Sequence, residues 1–265
     1  MSKLTDRLDA LGRVTPTPMG FTPRVAVKPP ATMLLLGSVS AGDASKYASC
    51  AGPVGVDVLL LRAADSLSNE TLKKLADTTW GVSVDEIDFQ GLDELKERGC
   101  DFVIPTSDKQ AATVIRDDEM ARGYEVDTNL TEKLARALEL LPVDFLLLTP
   151  LDSLWPLKLS SLIDLEATVG LVGRHFVLRV DSPPSSQDLE IIRNVPIDAL
   201  LVDLTSTSAA ELKQYRDLID GLPPRKPRSG GGEHQDATAA HTGTLPSGHS
   251  HDHDDDWDDD NALSL

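Results

Sequence analysis

Cationic side chains are scarce in this chain. Twenty-five Lys and Arg stand against 43 Asp and Glu over 265 residues, a formal net charge of −18. A protein that binds a phosphate backbone needs cationic surface to displace counterions, so nucleic acid is excluded as an expected partner. Cysteine is scarcer still: Cys50 and Cys100 alone can build neither a disulfide framework nor a thiolate zinc cluster. No apolar run approaches the roughly 18 to 20 residues that a membrane helix requires. The N-terminus lacks a basic stretch followed by an apolar segment, so a cytoplasmic protein without a membrane partner is expected. Aromatic residues make up 4% of the chain, yet apolar residues in total reach 40%, enough for a well-buried core at this length.

The two ends differ from the middle. Residues 1–31 read as a short amphipathic helix at about Leu4 to Leu11 followed by an arm punctuated by Pro16, Pro18, Pro23, Pro29 and Pro30. Residues 225–265 hold nine acids and three bases and almost no aliphatic side chains before Leu263. Such a segment cannot bury enough apolar surface to offset its ordering entropy, and a disordered acidic tail is expected. His249, His251 and His253 alternate there among aspartates, and with His234 and His241 they would bind Zn²⁺, Ni²⁺ or Cu²⁺ weakly. The tail also suits a docking role, although no partner can be named.

Between the ends, residues 32–224 alternate short apolar runs with helix-like stretches. The runs are Met33 to Leu36, Val58 to Leu61, Gly81 to Val84, Phe102 to Ile104, Tyr124 to Val126, Phe145 to Leu148, Phe176 to Val180 and Ala199 to Val202. Helix starts are signalled by Asn129 with Glu132 and by Ser208 with Glu211, each able to form a capping box. Strand then helix, repeated eight times, predicts a single (βα)₈ barrel of the α/β class. The spacing leaves no room for long lids. An open doubly wound sheet would carry G-x-G-x-x-G after its first strand, which Leu36 to Gly42 does not.

An internal repeat supports the count. Asp57, Asp101, Asp144 and Asp198 each follow a short turn and precede an even-numbered strand, at separations of 44, 43 and 54 positions. They are expected at the bottom of the barrel, in structural roles. Phe21 among its prolines is expected to plug that end, the alternative being a lid over the mouth.

Strand parity then identifies the interior. One face of each strand must be apolar to meet the helices, whereas the other turns inward and becomes polar toward the mouth. Ser83 and Asp85 share a face opposite Val82 and Val84; Glu125 and Asp127 oppose Tyr124 and Val126; Arg179 and Asp181 oppose Leu178 and Val180. Aligned on the repeated aspartates, Arg62, Thr106, Thr149 and Asp203 fall at one upper position, and Ser38 closes the ring.

Five carboxylates facing two guanidiniums in a partly dehydrated mouth are costly unless a cation joins them or some of them stay protonated. Asp85, Glu125, Asp127 and Asp181 are the expected ligands of Mg²⁺ or Mn²⁺, hard ions that take oxygen; the alternative is a structural network in which Arg179 bridges Glu125 and Asp181 and several aspartates cap the following helices. Glu125, Asp127, Arg179 and Lys109 are the candidate catalytic residues. Arg62, Ser38, Thr106, Thr149 and Asp203 are the candidates for binding a small anionic molecule such as an oxo acid. No lysine lies within a strand, which argues against Schiff-base chemistry. His175, the sole histidine before the tail, begins the seventh run at the bottom and is expected to be structural.

The segment Pro16-Thr17-Pro18-Met19-Gly20-Phe21 before the first strand resembles the leader of uncharacterised bacterial barrel proteins. The chain as a whole is similar to the (βα)₈ TIM-barrel superfamily. Its polar mouth looks like that of the metal-dependent lyases built on this fold, and the likeness implies lyase or proton-abstraction chemistry. The alternative is a catalytically silent barrel whose acidic tail does the binding.

Overall fold

All eight apolar runs become strands. The computed structural model describes residues 2–11, 31–47, 55–62, 67–107 and 109–223. The strands are β1 (Leu34–Ser40), β2 (Val58–Arg62), β3 (Thr79–Val84), β4 (Phe102–Pro105), β5 (Ala121–Asp127), β6 (Phe145–Thr149), β7 (His175–Arg179) and β8 (Ala199–Asp203). Every neighbouring pair is parallel, and β8 pairs back to β1, so the sheet closes in sequence order. This is a (βα)₈ TIM barrel. Closure removes both sheet edges, and each strand's second face is covered by helices.

The helices are α1 (Lys3–Ala10) ahead of the barrel, then α2 (Ala44–Tyr47), α3 (Asn69–Leu75), α4 (Phe89–Glu97), α5 (Glu132–Leu140), α6 (Leu159–Leu171), α7 (Ser186–Asn194) and α8 (Ala209–Asp220). The regular alternation fails once. Only a 3₁₀ turn, Ala112–Ile115, follows β4. There Gln110 mimics a strand neighbour, accepting from the Ile87 N–H and donating to its carbonyl at 2.8 and 2.6 Å. Further on, Asp117 turns the chain by accepting from the Glu119 N–H. Both contacts commit side chains and backbone that a helix would need otherwise. The predicted box at Ser208 and Glu211 is present at α8, but α5 is capped by Thr131 rather than Asn129.

The four repeated aspartates lie at the bottom, as expected. Asp57, Asp101, Asp144 and Asp198 each donate a backbone N–H to the preceding odd strand, at Leu35, Trp80, Arg122 and Phe176. In three repeats the carboxylate also accepts the N–H of that same residue, which latches the even strand to the odd one. Asp101 departs from the pattern. Its carboxylate accepts instead from the Lys3 and Leu4 N–H groups and the Ser2 hydroxyl, and so holds the N-terminus of α1 against the barrel.

That contact seats α1 at the bottom of the barrel. Leu4 and Leu8 of α1 are fully buried and join Leu34, Val58, Phe102, Phe145 and Ala199 in the inner core. Phe21, with the rest of 12–30, lies outside the described residues, as do Cys50 and the tail. A second, larger apolar cluster fills the space between strands and helices. Among the described residues no helix is long and apolar enough to cross a membrane.

Candidate functional site

Followed around the registers, the inward side chains stack in layers of four drawn from alternate strands. Val58, Phe102, Phe145 and Ala199 form one layer. Leu36, Gly81, Gly123 and Val177 lie above them, then Leu60, Ile104, Leu147 and Leu201. Polarity then changes within one step. Ser38, Ser83, Glu125 and Arg179 share the next layer, Arg62, Thr106, Thr149 and Asp203 the one above, and the two-residue period continues to Ser40, Asp85, Asp127 and Asp181 at the rim. The parity reading therefore holds for every strand: the outward partners Val82, Val84, Val126, Leu178 and Val180 belong to the outer core. Carboxylates and guanidiniums gather at the C-terminal strand ends because the lower positions are filled with apolar side chains and sealed by α1.

The mouth is organised as pairs. Arg62 donates to Asp203 at 3.0 Å, joining the second strand to the eighth. Asp203 also receives the hydroxyl and the N–H of Thr205, at 2.7 and 2.9 Å. Burial alone would raise its carboxyl; these donors and the Arg62 charge outweigh that and hold it below the ordinary carboxylate value. Glu125 accepts from Arg179 at 3.1 Å and from the Thr149 hydroxyl at 2.7 Å. Thr106 donates to Asp85 and lies 3.1 Å from the Val84 carbonyl. Among the described residues Asp181 receives only the neighbouring Ser182 hydroxyl, at 3.3 Å. The Arg179 Nε–H is shielded from solvent and has no acceptor among the described residues.

A cavity of about 350 Å³ opens on the β6, β7, β8 and β1 side of the mouth. Ser38, Arg179, Asp181 and Asp203 line it from the strands. Asp152, Ser153 and Leu154 of the loop after β6, and Ser206 of the loop after β8, line it from above. Sequence reasoning missed those loop residues. The available signal was length, since nine residues separate β6 from α6.

Not every candidate converges here. Arg62, Thr106, Glu125, Thr149, Asp85 and Asp127 are in the mouth but do not line this cavity. Lys109 is elsewhere: it lies exposed in a wide cleft beside α4, with Glu86, Asp88 and Arg98. Its strand ends at Pro105, and the following chain leaves the mouth to pack Gln110 on Ile87. Among the described residues no three carboxylate, imidazole or thiol groups are gathered so as to hold a metal ion. Asp85, Glu125, Asp127 and Asp181 project from three different strands, and Glu125 is engaged by Arg179 and Thr149. The set does not fit Mg²⁺ or Mn²⁺ as it stands.

The loop between β8 and α8 turns its own donors inward. The Ser208 N–H is taken by Glu211, and the Thr205, Ser206 and Thr207 N–H groups all turn back to Asp203. Backbone donors that would grip a phosphate after β8 are thus used internally.

No known family profile matches the chain, and no curated protein does. Solved structures share its architecture. A mutant tryptophan synthase alpha-subunit from the hyperthermophile Pyrococcus furiosus superposes with a TM-score of 0.52 at 9% identity, covering 71% of this chain and 97% of that one. A chain of the tryptophan synthase a2b2 complex of the same organism gives 0.53 at 9% identity, over the same shares. Tryptophan synthase from M. tuberculosis gives 0.50 at 13% identity, covering 71% and 91%. At identities this low the superpositions show a shared fold and nothing more.

Proposed function

We propose that this barrel is a small-molecule enzyme whose substrate carries a carboxylate and sits in the cavity between the β6 loop and the ends of β7, β8 and β1. One observation carries the reading. Arg179 stands where the apolar filling stops, beside that cavity, at the strand ends where barrel enzymes carry their chemistry. Its planar fork can hold a substrate carboxylate while it retains Glu125, and Glu125 with Thr149 keeps it aimed. Glu125 thereby becomes a positioning residue.

Asp181 follows Arg179 by two positions on the same inward face and has, among the described residues, only a serine hydroxyl for a partner, which suits it to accept a proton from a bound hydroxy or oxo acid. Ser38 and Ser206 supply hydroxyls to orient the ligand. This is proton-abstraction or carbon–carbon lyase chemistry, and every step proposed runs through these side chains. Mg²⁺ or Mn²⁺ would have to draw Glu125 away from Arg179, and no step is assigned to either.

The test is calorimetry and thermal shift of the full chain against small oxo acids, hydroxy acids and inorganic phosphate, each with and without Mg²⁺ or Mn²⁺. Carboxylates are expected to bind without metal. Arg179→Met should weaken them by about 10-fold or more, the worth of a charge-assisted pair. Asp181→Asn should retain binding and lose turnover. Binding of no panel member would favour the silent-scaffold reading; strict dependence on metal would restore the carboxylate ligand set.

A further inference from the structure

The end opposite the mouth carries a cluster that the proposed chemistry does not use. His175, the first residue of β7, stands between two carboxylates. Its Nδ1 is 3.0 Å from Asp198 Oδ2 and its Nε2 is 3.1 Å from Asp9 Oδ1. Asp198 belongs to the barrel wall, is only 7% exposed and also accepts the Phe176 N–H. Asp9 belongs to the last turns of α1 and is exposed.

The geometry fixes the charge state. A neutral imidazole has one N–H and one acceptor nitrogen, and an ionised carboxylate only accepts. Hydrogen bonds to both aspartates therefore require imidazolium. The Asp198 hydrogen bond, outweighing burial and aided by Asp9, raises the histidine above its ordinary value of 6.5. Among the described residues, Arg174 donates to the carbonyls of Glu139 and Leu141, and Arg7 of α1 to the Asp57 carbonyl.

We propose that α1 is a pH-sensitive plug, pinned to the barrel bottom by the His175 imidazolium and loosened when that ring loses its proton. The neutral ring has one N–H left. It stays with Asp198, because a buried carboxylate stripped of a donor costs more than an exposed one. The Asp9 contact to His175 is then given up, and with it one of the polar ties on the C-terminal half of α1. Leu4, Leu8, the Asp101 cap and the Arg7 bond to the Asp57 carbonyl still hold the rest of the helix, so the loosening is confined to its C-terminal end around Asp9. Loosening uncovers the apolar floor around Leu34 and Val58. The sign follows from the raised value: the contribution is complete below about 6.5 and is lost as pH climbs through the higher folded-state value.

Hydrogen exchange on the full chain tests this. After correction for intrinsic exchange, protection of amides in residues 4–11 should fall about five-fold between pH near 5.5 and near 8.5, while the β-strands hold steady. In Asp9→Asn and in His175→Gln the α1 protection should no longer vary with pH. The exposed Asp9 substitution leaves the barrel wall intact, and its His175 titration, followed by NMR, should fall toward the ordinary value. Equal α1 protection at both pH values in the parent, or a dependence that survives both substitutions, would overturn the proposal.

Discussion

Gly81 and Gly123 occupy inward positions directly over the two phenylalanines of the layer below. A Cβ at Gly81 would come within 2.4 Å of the Phe102 ring and its carbonyl oxygen, and one at Gly123 within 2.5 Å of the Phe145 ring. The rings meet edge to face, with centroids 5.8 Å apart, and fill the barrel axis. Glycine is required here for space, since neither residue has a positive φ. Gly81→Ala should therefore cost about 1–3 kcal/mol in chemical denaturation through overpacking. Gly170, helical and with nothing within 4 Å, is the control: its alanine variant should gain about 0.5–1 kcal/mol. At this scale the sequence disclosed which residues face inward, because side-chain alternation is a local property of a strand. It did not disclose that Arg62 would choose Asp203.

At the scale of elements, α1 is the piece whose role changes most between chain and fold. Its amphipathic pattern is legible, yet nothing local says that its apolar face will close a barrel assembled from segments as remote along the chain as β8. Leu4 and Leu8 are buried at 0% and 1% exposure. Leu8→Ala should cost about 2–5 kcal/mol, read as a shift of the denaturation midpoint at unchanged slope. A smaller loss would mean that α1 contributes little to closing the bottom. The stretch after β4 shows the converse limit. Its length permits a helix, and the tertiary contact of Gln110 with Ile87 together with the local turn at Asp117 decides against one. Where the cap was purely local, as for Ser208 with Glu211, the pattern alone sufficed.

For the whole molecule, charge dominates. A net charge of −18 makes the compact state repel itself, and salt relieves this as the screening length falls from about 30 Å at 0.01 M to about 8 Å at 0.15 M. The melting temperature should rise over that range. A fall would show that ion pairs such as Arg122 with Asp144 and Arg216 with Asp57 outweigh the repulsion. By itself the chain determined eight strands, their order and their inward faces, because these rest on a two-residue period and on aspartates repeated along the sequence. Only closure decided the pairing of Arg62 with Asp203, 141 positions apart, the cavity beneath the β6 loop and the seat of α1. Those depend on through-space distances between elements remote in sequence, which no local pattern encodes.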